Sequence, residues 1–450
     1  MMIDPDWAWA PYQPSEENPW DLFAAAHLYR RAGFGASRSE LEDAVEREPR
    51  ELVEEMIQAT EPDWFAKQMQ SLIKAGLATG NVKHLSAQWA YRMLNTPAPL
   101  REKMTLFWHG HFATSAAKVD DAELMQTQND LLRRYAFGDF SKLLLEISRD
   151  PAMLIYLDSA SNRKAHPNEN YAREIMELFA LGEGNYTEQD IRELARCFTG
   201  WEIKRKKFRF NRYQNDTGTK TVLGRTGELS GEDGVEIVVA QDAAPRFLVK
   251  KLINFFVMDE PHASDGLVEP LANKLRADGM VIAPTLKRIL SSNLFFSSHA
   301  RARKVRSPVD VGVGFLRSME ASTDAYQLAE DLDQLGQGLL FPPSVKGWDG
   351  GRTWVNSSTL LGRANLIGRF LDGGKTRYRK RPLHEFLAEQ KVGSTEQLID
   401  WLEASLFAVR IPDSAKQQIV ALDQIAGQTH AKRTRDAVHL LCTLPEFQLS

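Results

Sequence analysis

Two clusters in this sequence carry side chains able to do chemistry. The first is His109-Gly110-His111, a pair of imidazoles two residues apart. The second runs from His166-Pro167-Asn168 to Leu181-Gly182 and holds Glu169, Asn170, Arg173, Glu174 and Glu177. Imidazoles and carboxylates around a divalent cation can lower the pKa of bound water to about 7 and supply a nucleophile at neutral pH. His109, His111, Glu174 and Glu177 are therefore candidate metal ligands. Zinc, manganese or iron would suit such mixed nitrogen and oxygen donors. Glu169 and Asp158 are candidate general bases, and Asn170 and Arg173 candidate binding groups.

The carboxylates need a rigid carrier. Asn168 after Pro167 is a natural N-cap and Gly182 a natural left-handed stop, which predicts one helix of about four turns between them. At about 100° per residue, Asn170, Arg173, Glu174 and Glu177 share one polar arc, and the rest of the circumference is apolar. A helix so apolar is expected to be buried on most sides. Its two carboxylates must then meet a metal, an arginine or a shared proton, because an unpaired buried charge costs several kcal/mol. An internal ion-pair network through Arg173 explains the same residues without any site.

The histidines pose a sharper geometric demand. Side chains two apart on a helix diverge by about 200°, so both serve one centre only if the backbone leaves helical geometry at Gly110. Further along, Phe341 to Asn356 is an irregular loop dense in glycine, proline and tryptophan, and such loops are commonly functional. Its Trp348 and Trp354 either stack on a ligand or anchor the loop to the body.

Elsewhere apolar residues recur at three and four, as in Leu22, Ala25, Ala26 and Tyr29, with Ser37 or Ser39 as a cap. Thr187 to Asp190 reads as a capping box ahead of Ile191, Leu194, Ala195 and Phe198. Alternation appears once, over Phe208–Tyr213 and Thr219–Leu223 around the turn residues Asn215–Gly218. The expected fold is a mainly α, multi-helical globular body with a small inserted β-hairpin at about residues 203–224. Residues 1–20 would form an N-terminal extension and 21–450 one helical domain, carrying the hairpin insertion at 201–240 and the tryptophan loop at 341–356.

With 450 residues, 43% of them hydrophobic, and a formal net charge of −4, the chain can bury a large core and offers no charge argument for nucleic acid. Cys197 and Cys442 are too few for a disulfide framework. No apolar run approaches the roughly 20 residues of a membrane span, and no signal peptide is visible, so the chain as given reads as cytoplasmic.

His27 to Gly35, Phe107 to Ser115, Asn168 to Gly182 with Tyr186 to Asp190, Thr199-Gly200-Trp201, and Gly347-Trp348 with Trp354-Val355-Asn356 together resemble the bacterial family named domain of unknown function 1800. The resemblance implies a mainly helical protein whose relatives are often exported and often encoded beside a sulfatase-like partner. Many relatives carry a histidine before the aspartate of the hairpin turn, where this chain has Asn215.

Three readings are open. One is a metal-assisted hydrolase using a His/Glu cleft. A second is a non-catalytic interaction or assembly partner of a sulfatase-like protein, with the tryptophan loop as an interface. A third is a carbohydrate-active enzyme with paired carboxylates about 5–10 Å apart.

Overall fold

The computed structural model describes residues 3–372, 374–424 and 427–450. Helices dominate it, and the strands among the described residues form three two-stranded antiparallel ladders. Five helices position the candidate residues and their surroundings: α1 (Leu22–Ala32), α2 (Pro99–His111), α3 (Asn170–Glu174), α4 (Ala243–Phe256) and α5 (Pro308–Ser318). No helix among the described residues is long and apolar enough to cross a membrane.

Two apolar cores organise the chain. One gathers Trp9, Leu28, Trp108, Phe140, Phe179, Leu252 and Phe296, and the other Trp89, Val313, Phe315, Leu332, Leu366, Leu402 and Leu441. Helix α2 lies between them: its Met104, Phe107 and Trp108 enter the first core and its Leu106 the second. Burying large side chains at about 1.5–3 kcal/mol each locks this helix on both sides. Its two histidines are interior as a result.

The N-terminal segment also packs on this body. Trp9 is buried and donates its indole N–H to the Leu267 carbonyl at 2.8 Å, and Tyr12 stacks on Phe296.

The local cap signals hold where their partners are close in sequence. Ser37 with Glu40 and Thr187 with Asp190 form capping boxes, and Asn356 caps the helix Ser357–Leu371. The β insertion is built differently from the expected pairing. Instead of one hairpin turning at Asn215–Gly218, there are two: β1 (Trp201–Lys204) with β2 (Lys207–Phe210), and β3 (Lys220–Val222) with β4 (Arg225–Gly227). Their two-residue turns, Arg205-Lys206 and Leu223-Gly224, all have positive φ, the conformation whose twist matches paired strands. The Asn215–Gly218 stretch is held as a loop by Arg196, whose guanidinium grips both carboxylate oxygens of Asp216.

The helix carrying the carboxylates departs from regular α geometry. After α3 it continues from Ile175 to Ala180 as a π-helix, and Gly182 ends it at φ +80°, with the amides of Leu181 and Gly182 both reaching the Met176 carbonyl. A side chain at Gly182 would also press on the Phe247 ring, so the stop needs glycine for two reasons. The wider turn changes the angular spacing on which a 100° wheel depends.

Candidate functional site

A cavity of about 550 Å³ opens where α2, the π segment, α4, the start of α5 and the tryptophan loop meet. Its size falls within the roughly 300–1,000 Å³ usual for small-molecule sites. The wall is mixed, with Phe107, Leu178, Phe247, Phe255, Trp348 and Trp354 forming its apolar part beside charged residues. Helix α4 contributes one face by its periodicity: Phe247, Lys251, Asn254 and Phe255 stand at i, i+4, i+7 and i+8 and all line the cavity.

The tryptophan loop reaches this position by a close backbone approach. Gly347, at φ +82°, sits so near the Gly110 carbonyl that an added Cβ would collide with it. The space above Gly110 is filled by the Trp348 ring. Gly110 therefore serves as a seat for the loop, and α2 stays helical through His111.

That continuity sends the two histidines apart. His109 lies edge-on between Trp89 and Trp348, ring centroids 5.3 and 5.5 Å away, and burial pushes its pKa down to about 3. His111 faces the cavity. Its Nε2 is 2.9 Å from the Phe179 carbonyl, which can only accept, so Nε2 carries the proton. Burial, with Lys251 nearby, holds this imidazole well below its usual pKa, so the ring is neutral and Nδ1 is an acceptor. Lys251 Nζ donates to it at 3.2 Å.

Lys251 also donates to the Leu178 carbonyl at 3.0 Å. The carbonyls of Leu178 and Phe179 belong to the C-terminal turn of the π segment, where backbone acceptors lack partners within the helix. His111 and Lys251 satisfy them from outside, and a cation is favoured at that end. The Lys251 ammonium also lies 4.7 Å from the Phe247 ring centroid. Burial nevertheless brings its pKa down to about 8.

The other lining lysines are neutralised. Lys103 pairs with Asp310, Lys304 with Asp259 at 2.5 Å, and Lys346 with Asp349 at 3.1 Å. Lys251 alone among them has no carboxylate in its contacts among the described residues.

The residues expected to form the site are dispersed. His111, Glu177, Trp348 and Trp354 line the cavity, with Glu177 accepting from the Tyr186 hydroxyl at 3.2 Å. Glu174 is half-buried one turn away, its pKa raised by burial and by Glu177. Glu169 and Arg173 form an ion pair at 3.6 Å, and Arg173 grips Glu188 through two 2.8 Å hydrogen bonds on the surface. Asn170 donates to the Leu157 carbonyl, tying the helix to the segment before it. Asp158 is exposed and bridges to Lys118 at 2.7 Å. Glu169, Asn170, Arg173 and Asp158 all lie outside the cavity wall.

His109, His111, Glu174 and Glu177 therefore do not assemble into one ligand set. Among the described residues no group of three or more His, Cys, Asp or Glu side chains is placed to hold an ion. The physical reason is the unbroken helix at Gly110, together with the Lys251 proton that occupies His111 Nδ1. Two further lining carboxylates, Asp259 and Asp310, are each paired with a lysine.

Lys251, the central polar group, escaped sequence reasoning. Its signal was present as a lysine flanked at i−4 and i+4 by Phe247 and Phe255 on one face of the helix. The family described as Protein of unknown function (DUF1800) matches residues 27–449. No curated protein and no solved structure matches the chain.

Proposed function

The chain belongs to the DUF1800 family, which brings no reaction with it, and from that premise we propose that it is a small-molecule-binding protein whose site is the cavity beneath the tryptophan loop. The ligand is a compact organic molecule with an apolar or aromatic body, which Phe247, Phe255, Trp348 and Trp354 would enclose, and an electron-rich oxygen head that meets Lys251. One observation carries this reading. Lys251 is held in a defined position by the Leu178 carbonyl and His111 Nδ1, yet among the described residues no carboxylate pairs with it. A lysine so placed has bonding capacity left for a ligand, since an ammonium offers three donors and two are used.

The apolar wall supplies affinity and the lysine fixes orientation, the usual division of labour in such sites. Anilinonaphthalene sulfonate, an aromatic body with an anionic head, is a suitable probe. The intact protein is expected to bind it at a single saturable site. Lys251→Met removes one charge-assisted hydrogen bond, worth about 1.5–3 kcal/mol, and should weaken binding roughly ten- to a hundred-fold. Lys251→Arg should retain most of the affinity. Equal binding by the wild type and Lys251→Met would overturn the assignment.

A further inference from the structure

We propose that Lys251 is a covalent capture group, condensing with the aldehyde or ketone carbonyl of the cavity's ligand to form an imine. This rests on the reading of the cavity as a small-molecule site and names the class of ligand it takes. The geometry supports it in three ways. The amine stands at the cavity wall, over the Phe247 ring and beside Phe255. Two of its hydrogens are directed at fixed acceptors, Leu178 O and His111 Nδ1, so the remaining tetrahedral direction is the one left for a new bond. Among the described residues no carboxylate pairs with it to hold the proton on, unlike Lys103, Lys304 and Lys346.

The step balances without any further reagent. The ammonium first gives one proton to His111 Nδ1. Neutral Nζ then attacks the carbonyl carbon, the C=O π pair moves to oxygen, and that oxygen takes one of the two protons left on Nζ. The proton held on His111 passes to the resulting hydroxyl, which leaves as water while the nitrogen lone pair forms the C=N bond. In net terms an ammonium and a carbonyl give an iminium and water, with charge conserved. The iminium keeps one N–H, for which Leu178 O and His111 Nδ1 are both acceptors already in place.

Burial assists, because a pKa of about 8 against the ordinary 10.5 leaves on the order of a hundred-fold more neutral amine at pH 7 than an exposed lysine has. The neighbouring Lys250, exposed and paired with Asp265 at 3.0 Å, is the control.

Benzaldehyde at one equivalent, followed by sodium borohydride, tests the proposal on the full chain at pH 7. The expected result is a single reduced adduct that peptide mapping places on Lys251. It should disappear in Lys251→Arg and persist in Lys250→Arg. The wild-type map decides the matter even if a variant folds poorly. Adduct distributed over surface amines, or none at all, overturns the proposal. Displacement of anilinonaphthalene sulfonate by benzaldehyde, measured in parallel, separates the two levels. Displacement without adduct leaves the binding site standing and removes the imine, while the absence of both removes the site as well.

Discussion

Replacing Lys251 by methionine isolates the free energy stored in this one buried charge. Burial lowers the lysine from 10.5 to about 8 in the folded protein, and no carboxylate among the described residues offsets it. At about 1.4 kcal/mol per pH unit, holding the proton in the fold costs roughly 3 kcal/mol. The sign comes from proton counts. Below pH 8 both folded and unfolded chains carry the proton, and the full penalty is present. Between about 8 and 10.5 the unfolded chain binds more protons than the folded one, so stability gains with pH. Above 10.5 the penalty is gone. Methionine fills similar volume and does not titrate, and the other ionising groups are common to both proteins and cancel in the difference. Urea unfolding of wild type and Lys251→Met from pH 7 to 10.5 should show the difference moving toward the wild type by about 3 kcal/mol. A difference that stays flat across that range would mean that Lys251 is solvated like a surface lysine or carries a counter-ion, and would refute the reasoning.

Three further outcomes are set by contacts around the cavity and its support. Gly347→Ala places a Cβ against the Gly110 carbonyl at a positive φ, so it should detach the tryptophan loop, lower the melting temperature and shift tryptophan emission to the red; Gly110→Ala, whose Cβ meets the Trp348 ring at an ordinary 3.6 Å, should be tolerated. Glu102 is buried and accepts from Arg133 Nε at 2.5 Å and from Trp89 at 2.9 Å, so Glu102→Gln removes the buried one of the two carboxylates on Arg133, Asp130 remaining at 2.8 Å, and should cost about 1.5–3 kcal/mol in chemical denaturation. Asp158→Asn and Glu169→Gln remove carboxylates that face solvent and surface partners, so dye binding measured by titration should equal that of the wild type.

The helical class, the capping boxes and the stop at Gly182 were legible because each is decided within a few residues. Thr187 finds Asp190 three positions on, and Gly182 needs only its own backbone freedom. The tryptophan loop was also legible as a place of interest, although its seat on Gly110 lies far away in sequence.

What could not be read was tertiary. The polar arc of the Glu174 helix assumed α geometry, and the π segment alters the spacing between Glu174 and Glu177. His109 and His111 could serve one centre only if the helix broke at Gly110; packing of α2 between two cores keeps it intact, and the two imidazoles part. The partner that His111 does meet, Lys251, is 140 residues away. Only the assembled fold brings an interior imidazole, a helix C-terminus and a lone lysine to one point.

Competitive acetylation of every lysine, read by mass spectrometry as a function of pH with and without saturating anilinonaphthalene sulfonate, examines that point directly. Lys251 should titrate near 8 and should lose its reactivity when the dye is bound. A Lys251 that titrates with the surface lysines and reacts equally in the presence of the dye would contradict both the charge state and the site.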